Sequence, residues 1–169
     1  MNGAVLEVRN RQRAYRIDVK ILSRIIRHLL QEEFKGREFE IGISLVSEES
    51  MTRANETYLR HQGPTDVITF HYHEPGPTAP LRGDLLICVT EAAKQAERFR
   101  VTWPQEVVRY IVHGLLHLCG YDDQRPAARK SMKKVENRLL KRLAKQFDLN
   151  GVAGFGRRKQ RGAQGRSLP

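Results

Sequence analysis

The spacing of apolar positions in the first part of the chain predicts strands that alternate with helices. Residues 4–8 form a short apolar segment, and residues 39–46 alternate apolar and polar side chains as a half-buried strand does. Between them, Asp18 is placed to cap a helix that continues to about Phe34, because apolar residues recur three and four positions apart. A serine followed by acidic residues begins a further short helix at 47–59.

Two more strands are predicted in the middle of the chain. Residues 67–72 are rich in β-branched and aromatic side chains, which favour strands. The continuously apolar segment at 84–89 is typical of a central strand that is covered on both faces. Residues 74–83 contain three prolines and two glycines, so they are expected to form the loop between these strands.

Three helices are predicted to complete the fold. Thr90 is expected to cap the first, Thr102 and Gln105 to form a capping box for the second, and the third runs from Pro126 to about Phe147. The order of elements predicts an α/β (α+β) fold in which a small mixed sheet of about four strands packs with five or so helices.

The length is that of one domain, and the end of the chain differs in composition from the rest. Residues 150–169 combine five glycines and five basic residues with no acid. We therefore expect a single folded domain at 1–149, followed by a disordered basic tail at 150–169.

The segment HGLLHLCGYDD at 113–123 carries three side chains that could bind one metal ion. His113 and His117 lie one helical turn apart on the same face, and Gly120 can adopt the left-handed conformation that ends a helix and returns Asp123 toward them. Three protein ligands leave a fourth position open, which is typical of catalytic zinc. The simpler alternative is a pair of partly buried histidines satisfied by hydrogen bonds.

Two features of this segment leave other readings open. The spacing of its candidate ligands is that of metzincin peptidases. However, Gly114 is at the position where a zincin carries its glutamate base, which argues against a zinc peptidase. Asp122 is adjacent to Asp123 and could compete as the third ligand, although the spacing from Gly120 favours Asp123.

The excess positive charge lies in the residues that follow the metal segment in the chain. The formal net charge is +11; residues 1–124 contain 16 Lys and Arg against 17 Asp and Glu, whereas residues 125–169 contain 14 against 2. A concentrated basic segment favours a nucleic acid partner, the alternative being a solvated helix face followed by a tail. Membrane-surface binding is disfavoured because the tail has few large apolar residues.

The remaining composition indicates a cytoplasmic protein. Cys88 and Cys119 stand in apolar segments and are expected to be free thiols in a reducing compartment. No apolar segment approaches the ~20 residues needed to span a membrane, and the first residues do not resemble a secretory signal.

The metal segment, together with NETYLRHQGPTDVITF at 55–70 and GDLLICV at 83–89, resembles the YbeY family of bacterial endoribonucleases. In that family the motif HGxLHLxGYDH supplies three zinc ligands. The resemblance therefore implies that His113 and His117 bind one Zn²⁺, with Asp123 at the position of the third family histidine.

The resemblance also implies a function. It is metal-dependent cleavage of single-stranded RNA in the maturation of the 3′ end of small-subunit ribosomal RNA and in ribosome quality control, with the small ribosomal subunit and ribosome-associated proteins as partners. A zinc peptidase, or a ribosome-binding protein whose metal is structural, is the alternative.

The resemblance extends to two further segments, with one departure. The basic residue that the family places before the PTDV segment falls on Leu59, so Arg60 either takes over the contact with the scissile phosphate or is a solvated loop arginine. The PTDV segment at 64–67 resembles the family segment that shapes the cleft beside the metal, and Thr65 and Asp66 could equally be turn residues.

Overall fold

Four strands form one mixed sheet at the centre of the computed structural model, which describes residues 3–154. The strands are β1 (Ala4–Asn10), β2 (Phe39–Val46), β3 (Val67–His71) and β4 (Leu81–Cys88). Their spatial order is β1-β2-β4-β3; the first three of these are mutually parallel, and β3 runs antiparallel to β4.

Five α-helices surround the sheet within the described residues. They are α1 (Val19–Glu33), α2 (Glu48–Ala54), α3 (Val89–Phe99), α4 (Trp103–Leu118) and α5 (Pro126–Gln146). A π-helical turn (Asn55–Leu59) extends α2, and a 3-10 helix (Leu149–Ala153) follows α5. The predicted α/β architecture is thereby confirmed. No helix within residues 3–154 is both long and apolar enough to cross a membrane.

One face of the sheet carries the main hydrophobic core. On β2, Phe39, Ile41, Ile43 and Leu45 are at most 5 % exposed and pack with the buried faces of α1, α4 and α5. Each Å² of apolar surface that is buried stabilises the fold by about 25 cal/mol, so this cluster is the main source of stability. The core thus holds α4, the helix with the two histidines, in a fixed position on the sheet.

The prediction that the apolar strand is covered on both faces is wrong. β4 begins at Leu81, paired with Phe39, and only alternate residues are deeply buried, while Arg82 and Asp84 line an open groove of about 740 Å³ on the other face. Leu86 is only partly buried beside α2, which covers one end of this face. The segment is apolar on both faces because α2 covers this end of the second face.

Two helix boundaries also differ from the predicted ones. α3 begins at Val89 with Cys88 as its N-cap, not after Thr90, since β4 passes into the helix without a loop. The predicted helix at 47–59 is α-helical only to Ala54 and then continues as the π-helical turn.

The folded part extends beyond the expected boundary at residue 149. Val152 in the 3-10 helix is completely buried, and its carbonyl accepts a hydrogen bond of 2.9 Å from the backbone N–H of Asp18. Asp18 caps α1 as predicted, because its Oδ1 accepts from the N–H of Ile21 at 3.0 Å. The remainder of the expected tail, residues 155–169, lies outside the described residues.

Candidate metal centre

The helix α4 presents its few polar side chains on one side. Glu106, Arg109, His113 and His117 follow one another at spacings of three or four residues, so they share a face. The rest of the helix is almost entirely buried and cannot rotate without exposing core residues. Both histidine side chains remain about a quarter exposed, at 27 % and 24 %, and are therefore accessible to an ion and a substrate.

The turn after α4 brings the third ligand toward the two histidines. Gly120 has a φ of +97°, a conformation that favours glycine, and its N–H donates to the carbonyl of His117 at 2.9 Å. This confirms the predicted role of the glycine in ending the helix. The chain then reverses, so that Asp123 faces His113 and His117.

The ligand atoms form a nearly equilateral triangle. The two histidine Nε2 atoms are 3.1 Å apart, and Oδ2 of Asp123 lies 3.5 Å from Nε2 of His113 and 3.6 Å from Nε2 of His117. Tetrahedral ligands at about 2.0–2.1 Å from Zn²⁺ lie about 3.3–3.4 Å from one another. The donor set and its spacing therefore fit one zinc ion with one position left for a further ligand.

The other ring nitrogens are held by acceptors, which orients both imidazoles. Nδ1 of His117 lies 3.0 Å from the carbonyl oxygen of Tyr121. A carbonyl can only accept, so Nδ1 carries the proton and Nε2 keeps its lone pair for the ion. Nδ1 of His113 donates in the same way to Oε2 of Glu136 at 2.9 Å.

Glu136 on α5 is the centre of a buried ion-pair network behind His113. Its side chain is 4 % exposed, and its Oε1 accepts from Nη1 of Arg109 at 2.7 Å and from Nζ of Lys133 at 3.3 Å. Arg109 also donates through Nε to Glu106 at 3.2 Å. A buried carboxylate with this many donors is a fixed anchor for the imidazole of His113.

The pKa values reflect this network. Burial by itself raises the pKa of Glu136, but the hydrogen bonds from His113 and Arg109 outweigh it and lower the pKa to about 2. Burial lowers the pKa of His113, and the hydrogen bond and charge of Glu136 overcome it, so that the net shift is upward. Glu136 therefore stays ionised, and protons compete with a metal for His113 in the free protein.

Glu136 and its partner Arg109 were not predicted from the sequence. The available signal was a charged residue at a buried position, because Glu136 lies four residues after Met132 and three before Leu139 on the apolar stripe of α5. Arg109 is a similar exception within the apolar α4. No local pattern indicates that these residues meet, since they are 27 positions apart in the chain.

The structure separates the two neighbouring aspartates. Oδ1 of Asp122 accepts from the backbone N–H of Gln124 at 3.0 Å, which makes it a turn residue. Asp123 is the one that converges with the histidines, and Arg129 donates to its backbone carbonyl at 2.9 Å. The geometry thus agrees with the spacing from Gly120, which favours Asp123.

The loop before β3 combines both of the roles considered for it. Oδ1 of Asp66 accepts from the N–H of Val67 at 2.9 Å and from the hydroxyl of Thr65 at 3.2 Å, as a turn residue does. Asp66 also lines the cavity beside the metal ligands. Arg60 ends the π-helical turn with a φ of +56°, and the described residues that line this cavity do not include it.

The cavity onto which the site opens has a volume of about 520 Å³ and lies among three helices. Its wall is partly charged and partly apolar. The lining residues are Asp66, Gln95, Phe99, Val101, Glu106, Arg109, Tyr110, His113, Asp123, Arg129, Met132, Lys133 and Glu136.

Gly114 points away from this cavity and into the sheet. A Cβ atom there would lie 2.8 and 3.0 Å from the methyl carbons of Leu85 and 3.3 Å from Cγ1 of Val67. The position at which zincins carry their glutamate base therefore has no room for a side chain, and the described site has no zincin-like base at that position.

Fold and site together define a small α/β protein with a candidate catalytic metal centre of two histidines and one aspartate. The family model described as endoribonuclease YbeY matches residues 7–144. The chain therefore belongs to the YbeY endoribonuclease family, which confirms the resemblance found in the sequence and supports a role in RNA cleavage.

Individual relatives agree with this assignment. Endoribonuclease YbeY of Salinibacter ruber is 32 % identical over 130 residues, which cover 73 % of this chain and 82 % of the relative. That of Thermobifida fusca is 35 % identical over 130 residues, covering 73 % and 84 %. The solution structure of TM1509 from Thermotoga maritima has a TM-score of 0.62 at 22 % identity, covering 84 % of this chain and 91 % of that one, and is similar in fold.

Proposed function

We propose that this protein is a zinc-dependent endoribonuclease that cleaves single-stranded RNA in the cytoplasm. Its proposed substrate is ribosomal RNA, at the 3′ end of the small-subunit molecule, and its proposed partners are the small ribosomal subunit and ribosome-associated proteins in ribosome quality control. The proposal joins the family assignment to the chemistry of the site.

The observation that carries the proposal is the triangle of ligand atoms from His113, His117 and Asp123 at the wall of an open cavity. When bound, Zn²⁺ would polarise a phosphoryl oxygen and lower the pKa of a coordinated water. The network of Glu136 and Arg109 orients the imidazole of His113 so that its Nε2 would bind the ion, and Arg129 holds the backbone of the turn that carries Asp123.

The charge of α5 supports a polyanionic substrate. Eight basic residues on this helix are exposed, whereas its single acid, Glu136, is buried and paired. Arg129 and Lys133 belong both to this surface and to the cavity wall. The helix can therefore hold phosphates next to the metal ligands without reading bases. Arg60 is proposed to contact phosphate from the loop after α2, a role that its exposure permits.

The test is cleavage by purified protein. We expect it to cut an unstructured RNA oligonucleotide, to lose this activity when a chelator is added or when His117 is replaced by alanine, and to leave peptides intact. His71→Ala, which changes an exposed histidine outside the metal cavity, is the matched control and is expected to retain activity.

Other outcomes would contradict the proposal. Peptide cleavage with inert RNA would favour the zinc peptidase, against which Gly114 argues. A folded, metal-bound protein without activity on either substrate would favour a ribosome-binding protein with a structural metal. Folded protein without any bound transition metal after purification in the absence of chelator would remove the basis of the metal centre.

A further inference from the structure

The cavity that contains the candidate metal ligands is also lined by apolar side chains that take no part in the metal centre. Phe99 is 63 % exposed and Val101 39 % exposed, and both are cavity residues beside Met132 and Tyr110. Gln95 lies one turn before Phe99 on α3 and faces the same cavity. Hydrolysis of a phosphodiester requires none of these side chains, so they indicate a separate binding function.

The position of the Phe99 ring suits a flat ligand. The ring belongs to the last residue of α3 and is exposed to water instead of packing in the core. Exposure of an apolar ring to water is unfavourable in free energy. The guanidinium carbon of Arg98 lies over the ring, 6.0 Å from its centroid, which places a positive charge at one face of the ring. An aromatic face next to a cation is the arrangement with which single-stranded nucleic acid is bound.

The cavity is large enough for a nucleotide, and two exposed cations among its lining residues suit a phosphate. Its volume of about 520 Å³ lies within the range of about 300–1,000 Å³ that is usual for small-ligand sites. The basic side chains of Arg129 and Lys133 line the cavity together with the apolar residues. Two of the carboxylates in the lining, Glu106 and Glu136, are paired with Arg109. A phosphate could therefore be held by these cations while its base occupies the apolar part.

We propose that the apolar part of this cavity is a nucleobase subsite, in which one unpaired base adjoining the cleaved phosphate stacks on Phe99. The inference rests on the proposed endoribonuclease function and adds a reason for its strand preference. A base can reach the ring only when it is not paired and stacked within a duplex, so occupation of the subsite selects single-stranded RNA. Stacking accepts any base, and Gln95 is the residue placed to add a hydrogen-bonding preference.

Binding of a short single-stranded RNA by the full-length protein, with chelator present to prevent cleavage, tests the subsite. Fluorescence anisotropy gives the dissociation constant, and 2-aminopurine placed at successive positions of the RNA reports stacking. We expect Phe99→Ala to weaken binding about tenfold to a hundredfold and to relieve the quenching at one position. Phe99→Trp should retain both properties, whereas Phe99→Leu, which keeps apolar contact without a ring, should not.

The matched control is Tyr72→Ala, which removes an aromatic side chain of similar exposure (65 %) outside the metal cavity and should leave RNA affinity unchanged. Since Phe99 is largely exposed, all its variants should melt with the wild type. Wild-type affinity and quenching in Phe99→Ala, in a protein that cleaves RNA when metal is present, would overturn the subsite alone.

Two further outcomes separate the subsite from the enzyme. Failure of the metal-loaded wild type to cleave any RNA would overturn the proposed function and the subsite with it. Binding of a phenylalanine-containing peptide that is lost in Phe99→Ala, with RNA affinity unchanged, would reassign the apolar wall to a peptide side chain.

Discussion

At the scale of single residues, the candidate metal centre depends on side chains that do not touch the ion. Nε2 of His113 can face the ion because its Nδ1 is held by Glu136, which Arg109 and Lys133 hold in turn. Partners of this kind commonly change metal affinity by about 10–100-fold. The candidate site is therefore better described as three candidate ligands and one buried carboxylate.

Replacing Glu136 by glutamine tests this description. The amide keeps the shape and can still accept from His113, but it removes the negative charge that stabilises the imidazole and pairs with Arg109. We expect Zn²⁺ affinity to fall about 10–100-fold, measured by competition with a chromophoric chelator.

Glu33→Gln is the matched control for that measurement. Glu33 is a half-buried carboxylate that pairs with Arg142 away from the metal ligands, and its replacement should leave the affinity for Zn²⁺ unchanged. Wild-type affinity in Glu136→Gln would show that the negative charge of Glu136 does not strengthen metal binding by His113.

The cluster of candidate metal ligands could be predicted from the sequence because it is local. His113, His117 and Asp123 lie within 11 consecutive residues, and helix periodicity with one left-handed glycine is enough to bring them together. Glu136 is 23 residues from its partner His113. Its placement depends on how α5 packs against α4, which no local pattern contains.

At the scale of elements, the packing of α4 on the sheet decides which chemistry the helix can present. Gly114 permits close contact of the helix with Leu85 and Val67. A larger side chain would push the helix outward and displace His113, its neighbour in sequence. The glycine is thus required by helix–sheet packing, and the absence of a peptidase base follows from it.

We expect Gly114→Glu to lower the free energy of unfolding by about 3 kcal/mol or more, because it overpacks this contact and buries a carboxylate without a partner. Urea denaturation of the metal-free protein measures the change. Gly3→Glu, at an exposed glycine with no atom within 4 Å of its Cβ position, should be nearly neutral. A stable Gly114→Glu variant that cleaves peptides would refute this account of the helix.

The exposed face of α5 makes a separate prediction about salt. Replacing Lys130, Lys134 and Arg138 by glutamine removes three charges without touching the metal cavity. For single strands, each phosphate contact contributes about −0.7 to the slope of log K against log [salt]. We expect the variant to bind RNA more weakly with a slope shallower by up to about 2, measured by anisotropy between low and physiological salt.

A matched variant separates location from net charge in this experiment. Lys20, Arg24 and Arg53 are basic residues of α1 and α2, and their replacement by glutamine changes the net charge equally on other elements. An equal loss of affinity in both triple variants would mean that α5 provides no particular surface for RNA.

At the scale of the whole molecule, strand alternation and helix periodicity predicted most of the elements, and boundary errors arose where tertiary contacts decide. The strand β2 has its predicted bounds because one of its faces meets the core throughout. The bounds of β4 differ from the predicted ones because α2 covers the second face of this strand only at one end. The fold likewise continues past residue 149 because a single valine, Val152, closes the core beneath the start of α1.

Truncation distinguishes the folded part from the basic segment that follows it. A chain ending at Gly154 retains Leu149 and Val152 in the core, so it should melt with the full chain, but it lacks five basic residues and should bind RNA more weakly at low salt.

A chain ending at Asp148 loses both buried side chains and the carbonyl that accepts from Asp18. At about 1.5–3 kcal/mol for each buried apolar side chain, its free energy of unfolding should fall by about 3–6 kcal/mol. Calorimetry and anisotropy on the three chains measure both effects, and equal stability of the two truncated chains would place the end of the fold at or before Asp148.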